Sequence, residues 1–153
     1  MLLLWIIVGV LVAIAVVALV LKVLAVWQDR SMDKARRLFV LRREWLEAEF
    51  LKYAGLRGIP RGLRWVECEF DSEVQFARDR TSRQLRALVA ATIRFEAIEG
   101  GGMEDVEAVG NLRAATAIFF YDSGKWTTSG RALFNLNPTE AIQHYHHELE
   151  LVD

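Results

Sequence analysis

The chain begins with a long, unbroken apolar stretch. Residues 1–21 contain no charged or strongly polar side chain. About 20 such residues, in a helix that rises 1.5 Å per residue, cross the roughly 30 Å hydrocarbon core of a bilayer. A secretory signal peptide would carry a basic segment, a shorter apolar stretch and a small-residue cleavage site, and none of these is present. We therefore predict an uncleaved transmembrane anchor over residues 1–27.

Aromatic and basic residues mark the ends of this anchor. Trp5 and Trp27 would lie about 33 Å apart along a helix, so their indoles fit opposite interfacial belts. Lysine and arginine follow the span and none precedes it, which predicts a single-pass protein of the inner membrane with its N-terminus outside and its soluble part in the cytoplasm. We interpret the basic cluster as an orientation signal that also touches lipid headgroups. The predicted membrane-interface residues are Trp5, Lys22, Trp27, Arg30, Lys34, Arg36 and Arg37.

Charge and cysteine content exclude several classes of protein. Residues 22–64 hold 11 Lys/Arg against 5 Asp/Glu, whereas residues 65–153 hold 8 against 15. Because the basic excess lies next to the predicted anchor and not within the folded domain, we expect no nucleic-acid binding. Cys68 is the single cysteine, so neither an intrachain disulfide nor a paired-cysteine zinc site can form.

Residues 28–55 are predicted to form an amphipathic juxtamembrane helix that ends at a Gly55 cap. One face of this helix can cover a sheet. The second, narrower apolar face needs another cover, which is the chain's own domain, another subunit or lipid. The broad face consists of Leu38, Phe39, Trp45, Leu46, Phe50 and Tyr53, and the candidate partner face consists of Val40, Leu41, Ala48 and Leu51.

Residues 56–153 are predicted to form a small α+β domain. Alternating apolar and polar residues predict about five mainly antiparallel strands in a curved sheet, at residues 64–70, 74–80, 85–98, 112–121 and 125–135. We expect both helices to lie against one face of this sheet. Gly130 marks a bulge or a close backbone approach.

The first strand is predicted to place Val66, Cys68 and Phe70 on one face, and Trp65, Glu67 and Glu69 on the other. Cys68 is then a small buried hydrophobe. A nucleophilic cysteine needs a basic setting, whereas two glutamates flank this one and raise the pKa of its thiol.

A C-terminal helix is predicted from Asn137 as the N-cap, Pro138 at the first helical position and Glu140 at the third, as in a capping box. The side chains of Ala141, Ile142, Tyr145, Leu149 and Val152 are expected to pack on the sheet. On the other side, Glu140, His144 and His147 follow helical spacing and are weak metal-ligand candidates. Since that face should be solvated and the HExxH pattern is absent, we expect no metal.

No catalytic or cofactor-binding motif is present, and the glycine-rich acidic loop at residues 100–110 is interpreted as solvated. We therefore expect no cofactor and a membrane-anchored, non-enzymatic interaction or accessory subunit of a membrane-associated assembly, with a protein partner or a second copy as its ligand. The alternative is a membrane-tethered small-ligand-binding domain or small enzyme. Its pocket would lie between the sheet and the first helix, lined by Trp65, Phe95, Phe119 and Trp126.

Overall fold

The computed structural model describes residues 1–57 and 60–152. Its elements follow the chain in the order α1 Leu2–Arg57, β1 Leu63–Asp79, β2 Leu85–Ala97, β3 Arg113–Asp122, β4 Lys125–Phe134, α2 Pro138–His144 and β5 Leu149–Leu151. The predicted α+β fold is confirmed: a long apolar N-terminal helix, five antiparallel strands in a curved sheet and a short C-terminal helix.

Helix α1 runs without a break through both predicted helical segments. No glycine or proline interrupts residues 10–54, so no local signal ends the helix between the predicted anchor and the juxtamembrane segment. Gly55 is not the predicted left-handed cap, because it lies inside the helix, which ends at Arg57. The chain divides into two compact units, Met1–Leu38 and Phe39–Asp153.

The first unit is helical, and its apolar side chains are exposed. Within residues 6–26 the large aliphatic side chains are 44–63% exposed, so no described part of the chain covers them. Helix α1 is therefore long and apolar enough to cross a membrane.

In the second unit, one face of α1 packs on the sheet. The almost fully buried residues follow helical spacing and are Phe39, Leu46, Phe50 and Ala54. The ring of Phe39 lies 5.4 Å from that of Phe119, measured between centroids, and the ring of Phe50 lies 5.7 Å from the same residue. Both phenylalanines of the helix thus contact the same aromatic side chain of β3.

The buried face of α1 is narrower than the sequence predicts. Trp45 is 54% exposed and Tyr53 is 36% exposed, so the prediction that both pack on the sheet is wrong. At 100° per residue, Trp45 projects more than a quarter turn from the line of Phe39 and Phe50, beyond the reach of the sheet.

The strands lie in the order β4-β3-β2-β1-β5, and every neighbouring pair is antiparallel. The predicted hairpin of β3 and β4 is confirmed. Residues 64–70 and 74–80, predicted as two strands, form the single long strand β1, whose pairing with β2 is irregular between Phe70 and Val74. The fifth strand is instead β5, which pairs with the end of β1.

The two helices cover opposite faces of the sheet, which corrects the prediction that both lie on one face. Phe119 faces α1, whereas its neighbour Ile118 belongs to a cluster with Ile142 of α2. The same alternation holds on β2, where Leu88 lies in the α2 cluster.

A bulge in β1 changes the predicted faces of that strand. Trp65 pairs with Phe95 and Glu67 pairs with Arg94, so Val66 is an extra residue without a partner in the register. Because of this insertion, Trp65 lies on the same side as Cys68 and packs against the apolar cluster of Phe95. Val66, predicted on the buried face, is 44% exposed.

The capping box at the start of α2 is confirmed. The Glu140 backbone N–H donates to the Asn137 side chain at 2.9 Å, and the Asn137 N–H donates to the Glu140 carboxylate at 2.9 Å. The helix ends at His144, however, and Leu149 packs from β5 instead of from a continued helix.

Gly130 is a confirmed close approach between β4 and α1. Its φ of +69° suits glycine, and a Cβ at this position would clash with the backbone of Tyr53 and Ala54. The Gly130 N–H donates to the buried hydroxyl of Thr128 at 3.1 Å, and that hydroxyl donates to the Ile118 carbonyl at 2.9 Å. Thr128 thereby links the irregular part of β4 around Gly130 to β3.

Replacing Gly130 with alanine should lower the free energy of unfolding by about 3 kcal/mol, since a left-handed alanine is combined with overpacking against α1. Gly124→Ala is the matched control. Gly124 also has positive φ, at +84°, but no atom lies within 4 Å of its added Cβ, so its loss should be about 1 kcal/mol. Urea unfolding of the full chain in neutral detergent measures both; equal losses would show that α1 does not approach this strand.

Candidate functional site

All four residues of the candidate partner face are exposed. Leu41 is 80% exposed and Val40 is 66% exposed, and Ala48 and Leu51 are exposed as well. Trp45 lies four residues after Leu41 and three before Ala48, so these three side chains form a continuous exposed stripe on α1. The stripe is an uncovered apolar surface, and its contact with a partner stays a prediction.

The predicted membrane-interface residues all lie in the first unit. Trp5 and Trp27, the two ends of the predicted span, are largely exposed, as are the basic side chains Lys22, Arg30, Lys34 and Arg37, while Arg36 is half-buried. A shallow surface depression is lined by Arg30, Asp33, Lys34, Arg37 and Leu38. This segment therefore presents mostly positive charge, the sign that anionic lipid headgroups attract.

A groove lies between the last turns of α1 and the start of β1. It has a volume of about 320 Å³, and its lining is mostly apolar: Leu51, Gly55, Leu63, Arg64, Trp65, Val66, Glu67, Cys68 and Ile98. The residues from Leu63 to Cys68 are consecutive. Because successive side chains of a strand point to opposite faces, a groove that touches all of them runs along the edge of the strand.

Two ion pairs border this groove. Arg64 pairs with Glu96 at 2.5 Å, and Glu67 pairs with Arg94 at 3.0 Å, each between β1 and β2. All four side chains are substantially exposed, so each pair adds well under 1 kcal/mol to stability. The pairs neutralise the rim, and the apolar lining sets the character of the groove.

Of the four aromatic residues predicted to line a pocket, Trp65 alone lines this groove. Phe95, Phe119 and Trp126 are buried in packed clusters; the Phe39 ring lies 5.0 Å from Trp126, between centroids. The space between α1 and the middle of the sheet is therefore filled by aromatic rings. The sequence did not reveal the groove because it depends on the bulge at Val66.

Cys68 lies on the groove wall with a neutral thiol. Burial, and secondarily the negative charge of Glu47 on α1, raise the pKa of Cys68 to about 12. The predicted direction is confirmed, but its main cause is burial and not the adjacent glutamates. A thiol in this state is a poor nucleophile near neutral pH.

The candidate metal ligands Glu140, His144 and His147 do not have the helical arrangement that the sequence predicts. Since α2 ends at His144, His147 lies in the following turn and does not share a helical face with Glu140. The Glu140 carboxylate is already engaged in the capping box. Within residues 1–57 and 60–152, no group of three or more potential ligands is placed to hold a metal ion.

The acidic loop between β2 and β3 is folded on itself. The Glu104 carboxylate accepts a hydrogen bond from the Gly100 backbone N–H, and backbone hydrogen bonds of this kind lower the pKa of Glu104. Buried Val109 fixes the far end of the loop to the apolar cluster of β2. Hydrogen bonds from the loop's own backbone thus explain the lowered pKa of Glu104.

The raised pKa predicts slow alkylation of Cys68. Since burial raises the pKa of Cys68 to about 12, almost none of the thiol is ionised at pH 8, and iodoacetamide should react with the native chain at least tenfold more slowly than with the urea-unfolded chain. Glu47→Gln should accelerate the native reaction by removing one cause of the raised pKa. Glu44→Gln, a neighbouring exposed site on α1, should leave the rate unchanged. Equal native and unfolded rates would contradict the burial of this thiol.

Comparison of the chain with protein-family models, with curated protein sequences and with solved structures gives no match.

Proposed function

We propose that this chain is a membrane-anchored, non-enzymatic interaction or accessory subunit of a membrane-associated assembly. The observation that carries the proposal is the uncovered apolar surface of α1: first along residues 5–27, and again at Leu41, Trp45 and Ala48. Apolar surface of this extent is retained by proteins that bury it elsewhere, in lipid or against a partner.

The anchor part of the proposal rests on the first unit. The apolar stretch of α1 has a mean hydropathy of 3.1, and none of it is buried by the chain. Leaving such side chains in water costs about 25 cal/mol per Å² of apolar surface, and a bilayer removes that cost. Trp5 and Trp27 then occupy the two interfaces, where indole rings are favoured.

Orientation follows from charge. The basic residues at the end of the span and after it, from Lys22 to Arg37, favour the cytoplasmic side, which supports a second unit in the cytoplasm at an inner membrane.

The interaction part rests on the second unit. Its core is closed by the buried face of α1, so the exposed stripe of Leu41, Trp45 and Ala48 is not needed for folding. Tryptophan is enriched in interface hot spots, and Trp45 is 54% exposed at the centre of this stripe. A partner protein or a second copy of the chain is therefore the expected ligand.

A second candidate function, a tethered small-ligand-binding domain, is favoured by the apolar groove beside β1. Against an enzyme, the groove holds one thiol of raised pKa and two neutralised ion pairs, which supply no general base. Any small ligand would bind there through apolar contact.

The topology predicts that alkaline phosphatase fused to the C-terminus stays inactive in a bacterial host, because the enzyme matures only after export. A green fluorescent protein fusion at the same position should be fluorescent. Replacing Lys22, Arg30, Lys34 and Arg37 with glutamine should weaken the orientation signal and raise phosphatase activity. An active fusion of the unmodified chain would place the domain outside.

The exposed stripe predicts a protein neighbour. A photo-crosslinking residue at Leu41, in cells that express the full chain, should give one discrete product of higher mass. The same residue at Leu112, which is 66% exposed in the loop before β3, is the matched control and should give none. Mass spectrometry of the product separates a second copy from a partner. Lipid adducts alone, or equal products at both positions, would contradict the interaction role.

A further inference from the structure

The outer edge of β1 is only partly paired. Strand β1 has 17 residues, but β5 pairs with just three of them, Ala77, Arg78 and Asp79. Across the described ranges, 1–57 and 60–152, no strand lies beside residues 66–70 on that side. Such an edge presents backbone N–H and C=O groups at alternate residues, and its natural complement is another strand.

The pairing with β5 shows that this edge accepts an antiparallel strand. The Val152 N–H continues the pairing by donating to the Phe76 carbonyl at 2.9 Å. Further along, Arg43 of α1 donates to the carbonyls of Asp71 and Ser72, which closes that part of the edge. The open part is residues 66–70, about 17 Å of strand.

The apolar groove lies along part of this open edge. Its walls are Val66 and Cys68 from the strand and Leu51 from α1, and no side chain stands at Gly55. A strand placed beside residues 66–70 would direct alternate side chains toward α1 and hence into the groove. Backbone pairing and a side-chain pocket therefore coincide at one place.

The charges on β1 indicate which kind of strand the open edge favours. Glu69, Asp71 and Glu73 are exposed along the edge region, while Glu67 is neutralised by Arg94. Antiparallel pairing with the same edge of a second copy would place carboxylates near carboxylates, which is destabilising. A strand that carries lysine or arginine would instead form opposite-charge cross-strand pairs.

We propose that residues 66–70 of β1 bind an extended, basic segment of a partner protein as an added strand, with an apolar side chain of that segment in the groove. The proposal rests on the proposed interaction function and names its site and the chemistry of its partner. This docking edge is separate from the exposed stripe of Leu41, Trp45 and Ala48, so the two surfaces are tested separately.

The test uses the full chain in neutral detergent and a capped ten-residue peptide of alternating valine and lysine. Saturating peptide should slow hydrogen exchange of alternate amides within residues 66–70 at least tenfold, because these amides enter a ladder. A peptide of the same sequence with methylated alternate backbone nitrogens has the same side chains but fewer donors, and it should give no protection. A glutamate–valine peptide should bind at least tenfold more weakly than the lysine–valine peptide.

Variants locate the site. Val66→Lys places a cation at the groove and should weaken binding of the lysine–valine peptide at least tenfold. Val106→Lys, at a valine that is 43% exposed in the β2–β3 loop, is the matched control and should bind like the unmodified chain. Unchanged exchange of the β2 amides shows that both variants are folded.

The following outcomes would overturn the proposal: no protection of residues 66–70, equal binding of the methylated or acidic peptide, or equal loss in both variants. Binding of the methylated peptide would point to a groove that takes side chains alone, as a small-ligand site would. If the edge test fails while the Leu41 crosslink to a protein persists, the interaction function stands and only this docking site is rejected.

Discussion

Packing of the second half of α1 onto the sheet is the interaction on which the second unit depends. Phe39 and Phe50 both contact Phe119, and the Phe50 ring also contacts Trp65 and Phe70 of β1 at centroid distances of 6.1 and 5.7 Å. Each such aromatic pair contributes about 0.5–1.5 kcal/mol beyond the burial of its area. The helix reaches this depth because Gly130 leaves room for its backbone on β4. Outward-facing residues, including Leu41 and Trp45, are therefore not used in folding and remain available to other molecules.

Features with local causes could be predicted from the sequence. The capping box of α2 needs two residues within one turn, Asn137 and Glu140, and the β3–β4 hairpin needs a short turn between two alternating runs. The predictions for Trp65 and Val66 were wrong for a non-local reason. One inserted residue reverses the faces on one side of a bulge, and alternation alone does not reveal where the insertion lies. The same limit applies to β5, whose three residues join the sheet by pairing with distant residues of β1, from Ala77 to Asp79.

The candidate site likewise combines features that have local causes with features that depend on distant segments. Exposure of Val40 and Leu41 follows from helical periodicity, since one face of a helix is buried and the opposite face is not. The groove depends on three separate segments: the flank of α1, the bulge of β1 and the end of β2. The periodic pattern of a single segment does not predict that these three segments lie together. The histidine set failed for a related reason, because its helical spacing assumed a helix longer than the one that the packing of Leu149 permits.

The two edges of the sheet differ in what prevents another strand from pairing with them. On β4, the backbone of α1 lies against Gly130, and Arg57 donates to the Ser129 carbonyl at 3.3 Å, so the chain itself occupies this part of the edge. On β1, the opening beside residues 66–70 is flanked by apolar side chains of the groove and by exposed acidic ones. Like charges opposite one another destabilise strand pairing, so negative charge on this edge disfavours pairing between identical copies and favours the proposed basic strand. Pairing with β5 and the hydrogen bonds from Arg43 close neighbouring parts of the β1 edge, so at residues 66–70 the charge of an incoming strand is what distinguishes one proposed occupant from another.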